Sequence, residues 1–153
     1  MTSHRRSFTA LLVAAGLVGA VVALPGCSVI DELLYHQKSM SFDSVDQLRA
    51  DGDLDAAWVP ADASDIRIVE STRPEADNAA VLLTSDLALD PDLCVEVERQ
   101  SAPSYSIEGA PDPYDAKTVN VFACGPWSVI PAEGGWFGWT PNHPNEQAQS
   151  PSS

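Results

Sequence analysis

Positive charge is scarce in this chain: eight Lys and Arg stand against 22 Asp and Glu in 153 residues, for a formal net charge of −14. A surface that negative repels phosphate backbones, which excludes nucleic acid as a partner class. It is repelled by anionic headgroups as well, so a basic membrane-binding patch is excluded. Histidine is nearly absent. Beyond His4 only His36 and His143 occur, one in an expected tether and one in an expected tail, which removes the usual general base and zinc ligand from a shaped pocket. The chain has no Gly-x-Ser-x-Gly, no His-Glu-x-x-His, no phosphate-binding glycine loop and no Cys-x-x-Cys. Long apolar runs are lacking too. The stretch from Phe8 to Ala23 is the longest, and it falls short of the roughly 20 residues a membrane-crossing helix needs.

What is present begins at the N-terminus. His4, Arg5 and Arg6 form a positive start, no acidic residue precedes Asp31, and Thr9 is the only polar side chain between Phe8 and Ala23. A charged start followed by a short apolar stretch is the pattern of a signal peptide. Pro25 and Gly26 then end any helix and leave extended backbone for a peptidase. Leu24-Pro25-Gly26-Cys27 resembles a bacterial lipobox, with Pro25 in a slot that usually holds Ala, Ser, Thr or Val. The resemblance implies a chain cut before Cys27 and lipidated on its thiol, anchored by acyl chains because one chain alone holds only marginally. An ordinary signal peptide with Cys27 as a bystander is the plainer alternative. Arg5-Arg6-Ser7-Phe8 also resembles the centre of a twin-arginine export signal, and a simple positive n-region accounts for the same residues.

Cleavage there leaves one domain's length of chain, residues 27–153. All the acids lie in it, against Lys38, Arg49, Arg67, Arg73, Arg99 and Lys117. Such a surface attracts small cations or basic partners, or simply keeps an exported protein soluble. With Cys27 lipidated, Cys94 and Cys124 remain, and in an oxidising compartment they are expected to form one disulfide rather than a redox pair or two metal ligands.

The organisation follows from local pattern. Residues 1–26 are the signal peptide, 27–41 a tether, 42–140 the folded domain and 141–153 a disordered tail. A helix is expected over 42–54, capped by Ser41 or Asp43 and stopped by Gly52. Strands are expected at Asp65–Glu70 and Ala79–Thr84 as a hairpin, then at Thr118–Cys124, Trp127–Pro131 and Gly135–Thr140 as a meander. Asp90-Pro91-Asp92-Leu93 opens a short helix on this reading, although Val95-Glu96-Val97-Glu98 alternates like a strand. Residues 101–115 form a long loop. The fold class is therefore α+β, about five mostly antiparallel strands with one or two short helices and one disulfide. Trp58 to Ile66, the Cys124-Gly125-Pro126-Trp127 corner and Gly135 to Pro141 are similar to stretches of small exported bacterial lipoproteins that carry no assigned activity.

Three constellations bear on chemistry. Asp51-Gly52-Asp53-Leu54-Asp55 starts like an EF-hand loop, but Ala56 occupies the turn position that needs Gly and Asp62 the place of the bidentate Glu, so no metal is expected. Carboxylates in the 101–115 region offer acid–base chemistry to a hydrolase acting on the envelope. Trp127, Trp136 and Trp139 either fill the core or form a surface for a glycan or an envelope protein. The reading is a lipid-anchored protein at the extracytoplasmic face of the cell membrane. It binds or builds rather than catalyses and carries no cofactor. The hydrolase and the glycan binder using Trp136 and Trp139 are the alternatives.

Overall fold

Ala79 to Leu83 are five successive apolar residues, a pattern that suits a strand covered on both faces rather than one. The computed structural model describes residues 36–115, 117 and 119–151, and it shows that outcome. The signal segment, Cys27 and the first part of the expected tether lie outside the described residues, as does Thr118 at the start of one expected strand.

Seven strands, β1 (Gln37–Ser44), β2 (Ser64–Ser71), β3 (Ala79–Thr84), β4 (Val95–Glu98), β5 (Asn120–Cys124), β6 (Trp127–Ala132) and β7 (Gly135–Thr140), form one sheet. Their spatial order is β1-β2-β3-β7-β6-β5-β4, and every described pairing is antiparallel. After β3 the chain crosses to the far edge, lays down β4, and returns strand by strand until β7 pairs with β3. The short helices α1 (Val45–Asp51) and α2 (Pro144–Gln147) complete the described elements.

Alternation along β3 sorts the core into two clusters. Ala79, Val81 and Leu83 join Phe42, Ile66, Ile68, Trp58 and the α1 residues Val45 and Leu48 on the first face. Ala80 and Leu82 join Val121, Ile130, Phe137 and Trp139 on the second, which Ile107 and Tyr105 of the 99–115 loop cover. Both faces are thus shielded, and burying each large apolar side chain contributes about 1.5–3 kcal/mol.

Local chemistry explains the joints. Gly125 (φ 59°) and Gly134 (φ 71°) supply the positive φ that the β5–β6 and β6–β7 hairpins require. Asp65 (φ 48°) sits inside the register shift between Ser64 and Arg67, where a strand bulge needs a residue that tolerates left-handed backbone. Gly138 is small for a different reason. A Cβ there would meet Trp58 Cζ2 at 2.6 Å, because the Trp58 indole lies across β7 on its way to Trp127, ring centroids 5.9 Å apart.

Four expectations are corrected. The sheet has seven strands, not about five, because β1 and β4 are strands. Residues 37–44 are neither tether nor helix: Met40 and Phe42 alternate with polar neighbours and pair with β2. The helix therefore starts at Val45, with Ser44 accepting from Gln47 N (3.3 Å) and Gln47 Oε1 accepting from Asp43 N (3.0 Å), a reciprocal cap. Asp90 closes only a turn, taking Leu93 N and Cys94 N on its carbonyl, and the period-two pattern of Val95–Glu98 prevails through pairing with β5. The expected tail folds back: α2 caps on His143, and Ser150 Oγ accepts from Gly125 N at 2.6 Å. Composition suggested disorder there, but its polar side chains hold specific partners.

Cys94 and Cys124 are disulfide-bonded as expected, Cα atoms 4.3 Å apart beside the Val95–Ala123 pair. Replacing both by Ala removes a link closing 30 residues, and denaturant unfolding should register a loss of about 3–4 kcal/mol. Gly138→Ala forces Trp58 off β7, and the same measurement should give a loss of about 1–3 kcal/mol with a shifted tryptophan emission.

Candidate functional site

The 99–115 segment has the composition of a structureless connection, with Pro103, Pro111 and Pro113 removing ladder donors and Gly109 turning at φ 83°. It is nonetheless fixed at several points. Arg67 of β2 donates to the Glu108 carbonyl at 2.7 Å. Arg99 donates to the Ser101 carbonyl at 3.1 Å and lies over the Tyr114 ring, 5.8 Å from its centroid. Asp112 accepts from Tyr114 N at 2.8 Å, a side-chain turn that orients the tyrosine. Between the two limbs of this loop is a groove of about 440 Å³. Phe137 is its floor, and Tyr105, Ile107 and Tyr114 stand with the three prolines as its walls. Tyr114 is 69% exposed. Ser104, Ser106 and Asp112 are the polar residues of the lining.

The strongest of these fixings is Glu146. Its side chain is completely buried, and its carboxylate accepts five hydrogen bonds. Oε1 takes Gln100 N and Ser101 N (3.0 Å). Oε2 takes Ser101 Oγ (2.6 Å), Ser128 Oγ (2.9 Å) and His143 N (2.9 Å). Trp139 Nε1 in turn donates to Ser101 Oγ at 3.0 Å. Burial pushes the Glu146 pKa up, but the donors from Gln100, Ser101, His143 and Ser128 outweigh it and hold the group below its ordinary 4.5. Its lone pairs are committed, so this carboxylate is a fastener and not an acid–base catalyst. Asp62 has a parallel role at the exit of β3. The Ser85 hydroxyl (2.5 Å) and Asp86 N (3.0 Å) lower its pKa against the opposing effect of desolvation.

The tryptophans divide. Trp127 and Trp139 are core residues, 2% and 0% exposed, and the Trp127 indole donates to the Asp55 carbonyl at 2.8 Å. Trp136 is half-buried, bonded to the Leu87 carbonyl at 3.0 Å and edge-on to Phe122. Trp136 and Trp139 stand three apart on β7 and so face opposite sides of the sheet. The expected shelf of Trp127, Trp136 and Trp139 does not form, and Trp136 alone keeps an accessible face.

A second cleft, about 410 Å³, lies at the sheet end where β1 begins and β7 finishes. Asp53, Asp55, Glu70, Asp77 and Arg73 line it beside Trp127, and Lys38 engages Glu70 at 2.7 Å. Among the described residues no group of three or more His, Cys, Asp or Glu side chains is placed to hold a metal ion. The EF-hand-like run is a helix end, Gly52 N bonding back to the Leu48 carbonyl at 2.8 Å. In the 101–115 region Asp112 serves the Tyr114 turn and Asp115 accepts from Lys117 N at 3.1 Å, and Asp112 is the one carboxylate lining the groove.

Tyr105, Tyr114 and Glu146 escaped the sequence reading. Two tyrosines among three prolines, in a segment too long to be a bare connection, were the available signal. For Glu146 no signal existed, because its partners are distant in sequence. Comparison with family models, with curated proteins and with solved structures finds no match for this chain.

Glu146→Gln places an amide N–H₂ against hydroxyl and backbone donors, and should cost about 2–4 kcal/mol of unfolding free energy. The native pKa is depressed, so the ionised group's contribution is complete above its ordinary 4.5 and is lost as pH falls through the lowered native value. Denaturant midpoints measured down the acid range should fall less steeply for Glu146→Gln than for the parent.

Proposed function

We propose that this chain is a lipid-anchored, extracytoplasmic binding protein, held at the membrane by Cys27 and recognising its partner in the groove lined by Tyr105 and Tyr114. The groove is the observation that carries the binding half of this reading. It is concave, apolar with a few polar groups at the rim, and held open by contacts to Arg67, Arg99 and Glu146 rather than by its ligand. A site that needs no ordering at binding keeps more of its contact energy as affinity. A rim with a single lining carboxylate supports recognition over acid–base hydrolysis.

The anchoring half rests on Leu24-Pro25-Gly26-Cys27 and the positive, acid-free segment before it. The Cys94–Cys124 bond supports it, since structural disulfides persist in oxidising compartments outside the cytosol. From Cys27 to Gln37 the chain reaches at most about 35 Å. An anchor at Cys27 therefore keeps the start of β1 within about that distance of the bilayer. Half-exposed Trp136 supports a second reading, in which one indole face stacks on a glycan of the envelope.

Cys27→Ser should abolish palmitate labelling and leave the larger, uncleaved precursor on a gel. Unchanged gel mobility and labelling would remove the anchor from the reading and leave the groove standing.

A further inference from the structure

We propose that the groove accepts a basic, proline-rich stretch of polypeptide in the extended polyproline II form. The inference rests on the binding reading above and names its ligand.

The walls set the chemistry. Tyr105 and Tyr114 offer ring surface, and Pro103, Pro111 and Pro113 keep the backbone around them stiff. Flat, rigid aromatic walls suit pyrrolidine rings, and a proline-rich ligand is already extended, so little of its freedom is lost on docking. Polyproline II leaves its backbone carbonyls unpaired, and tyrosine hydroxyls beside a ring-stacking surface are the donors that reach them. Arg99 fixes the Tyr114 ring from behind, 5.8 Å from its centroid, so a ring 69% exposed is also a ring held in place.

Charge supplies the second requirement. Glu108, Asp112 and Asp115 are all exposed in this loop, on a chain whose net charge is −14. Arg67 and Arg99 beside it are turned to the Glu108 and Ser101 carbonyls, and exposed Lys117 follows Asp115. Lys or Arg flanking the prolines finds carboxylates at the rim and is steered there by the overall field. A saccharide is the weaker match. Sugar hydroxyls call for several planar polar side chains, and Asp112 is the only one in the lining.

The test is selection of a random peptide display library on the full chain in detergent, followed by titration of a synthetic peptide made from the recovered consensus. The consensus should be rich in proline together with Lys or Arg. Tyr105→Ala and Tyr114→Ala should each weaken the peptide about tenfold or more. Asp112→Asn should weaken it about threefold and flatten its salt dependence. Trp136→Ala should leave it unchanged. Circular dichroism melting of each variant confirms that loss of binding is not loss of fold. Selected peptides without proline or basic residues, equal binding by Tyr114→Ala, or displacement of the peptide by neutral oligosaccharides would each overturn the proposal. Palmitate labelling of the Cys27 variant reads the anchor separately, so failure here is distinguishable from failure there.

Discussion

A carboxylate withdrawn from water is tolerable only when donors replace its hydration shell, and Glu146 meets that condition with five of them. Those donors come from separate parts of the chain: the loop after β4, the start of β6, and the start of α2. One side chain therefore joins three segments that share no ladder hydrogen bonds. The network extends to Trp139, whose N–H completes Ser101, so the largest side chain of the second core is oriented by the same group. Partial satisfaction would make this arrangement a liability, because unpaired polar groups in low dielectric are expensive. Its completeness is why the loop beyond it has a defined shape despite its prolines.

The sheet gives that loop its place. Because β3 is apolar from Ala79 to Leu83, both of its faces need cover, and the chain provides two different covers. Helix α1 and the Trp58 segment close the first face with side chains that interlock, down to an indole lying on Gly138. The second face is closed by backbone with little regular structure, and its two limbs leave room between them. A concavity arises where cover is supplied by a loop instead of a helix. The proposed binding role thus follows from how one apolar strand is shielded, with Phe137 as the common floor of core and groove.

How far the residues disclosed this in advance varied with the range of the interactions. Periodicity and turn chemistry located β2, β3, β5, β6 and β7, because Gly125-Pro126 and Gly134 act within a few residues. The disulfide was legible once Cys27 was set aside for the anchor, because the two remaining cysteines have one way to pair. Strand β1 was missed: its serines and Gln37 carry weak strand propensity, and pairing with β2 overrides that. At β4, helix-start signals in Asp90-Pro91 competed with alternation in Val95–Glu98, and a neighbouring strand decided. The folded C-terminal segment was illegible in principle, since Glu146 and Ser150 are ordinary polar residues until distant backbone meets them. Tryptophan burial on β7 was half legible. Alternation sends Trp136 and Trp139 to opposite sides, but only the covering loop decides which side is sealed.

The order of the strands has a consequence for synthesis. Strand β7 is the last to be made, yet it fills the gap between β3 and β6 and unites two otherwise separate meanders. Until the ribosome has delivered it, one edge of β3 presents unpaired backbone N–H and C=O groups between apolar side chains. Such a border readily recruits foreign strands. A nascent or truncated product ending before Gly135 accordingly leaves that edge open, and the two halves join in one sheet only when β7 arrives.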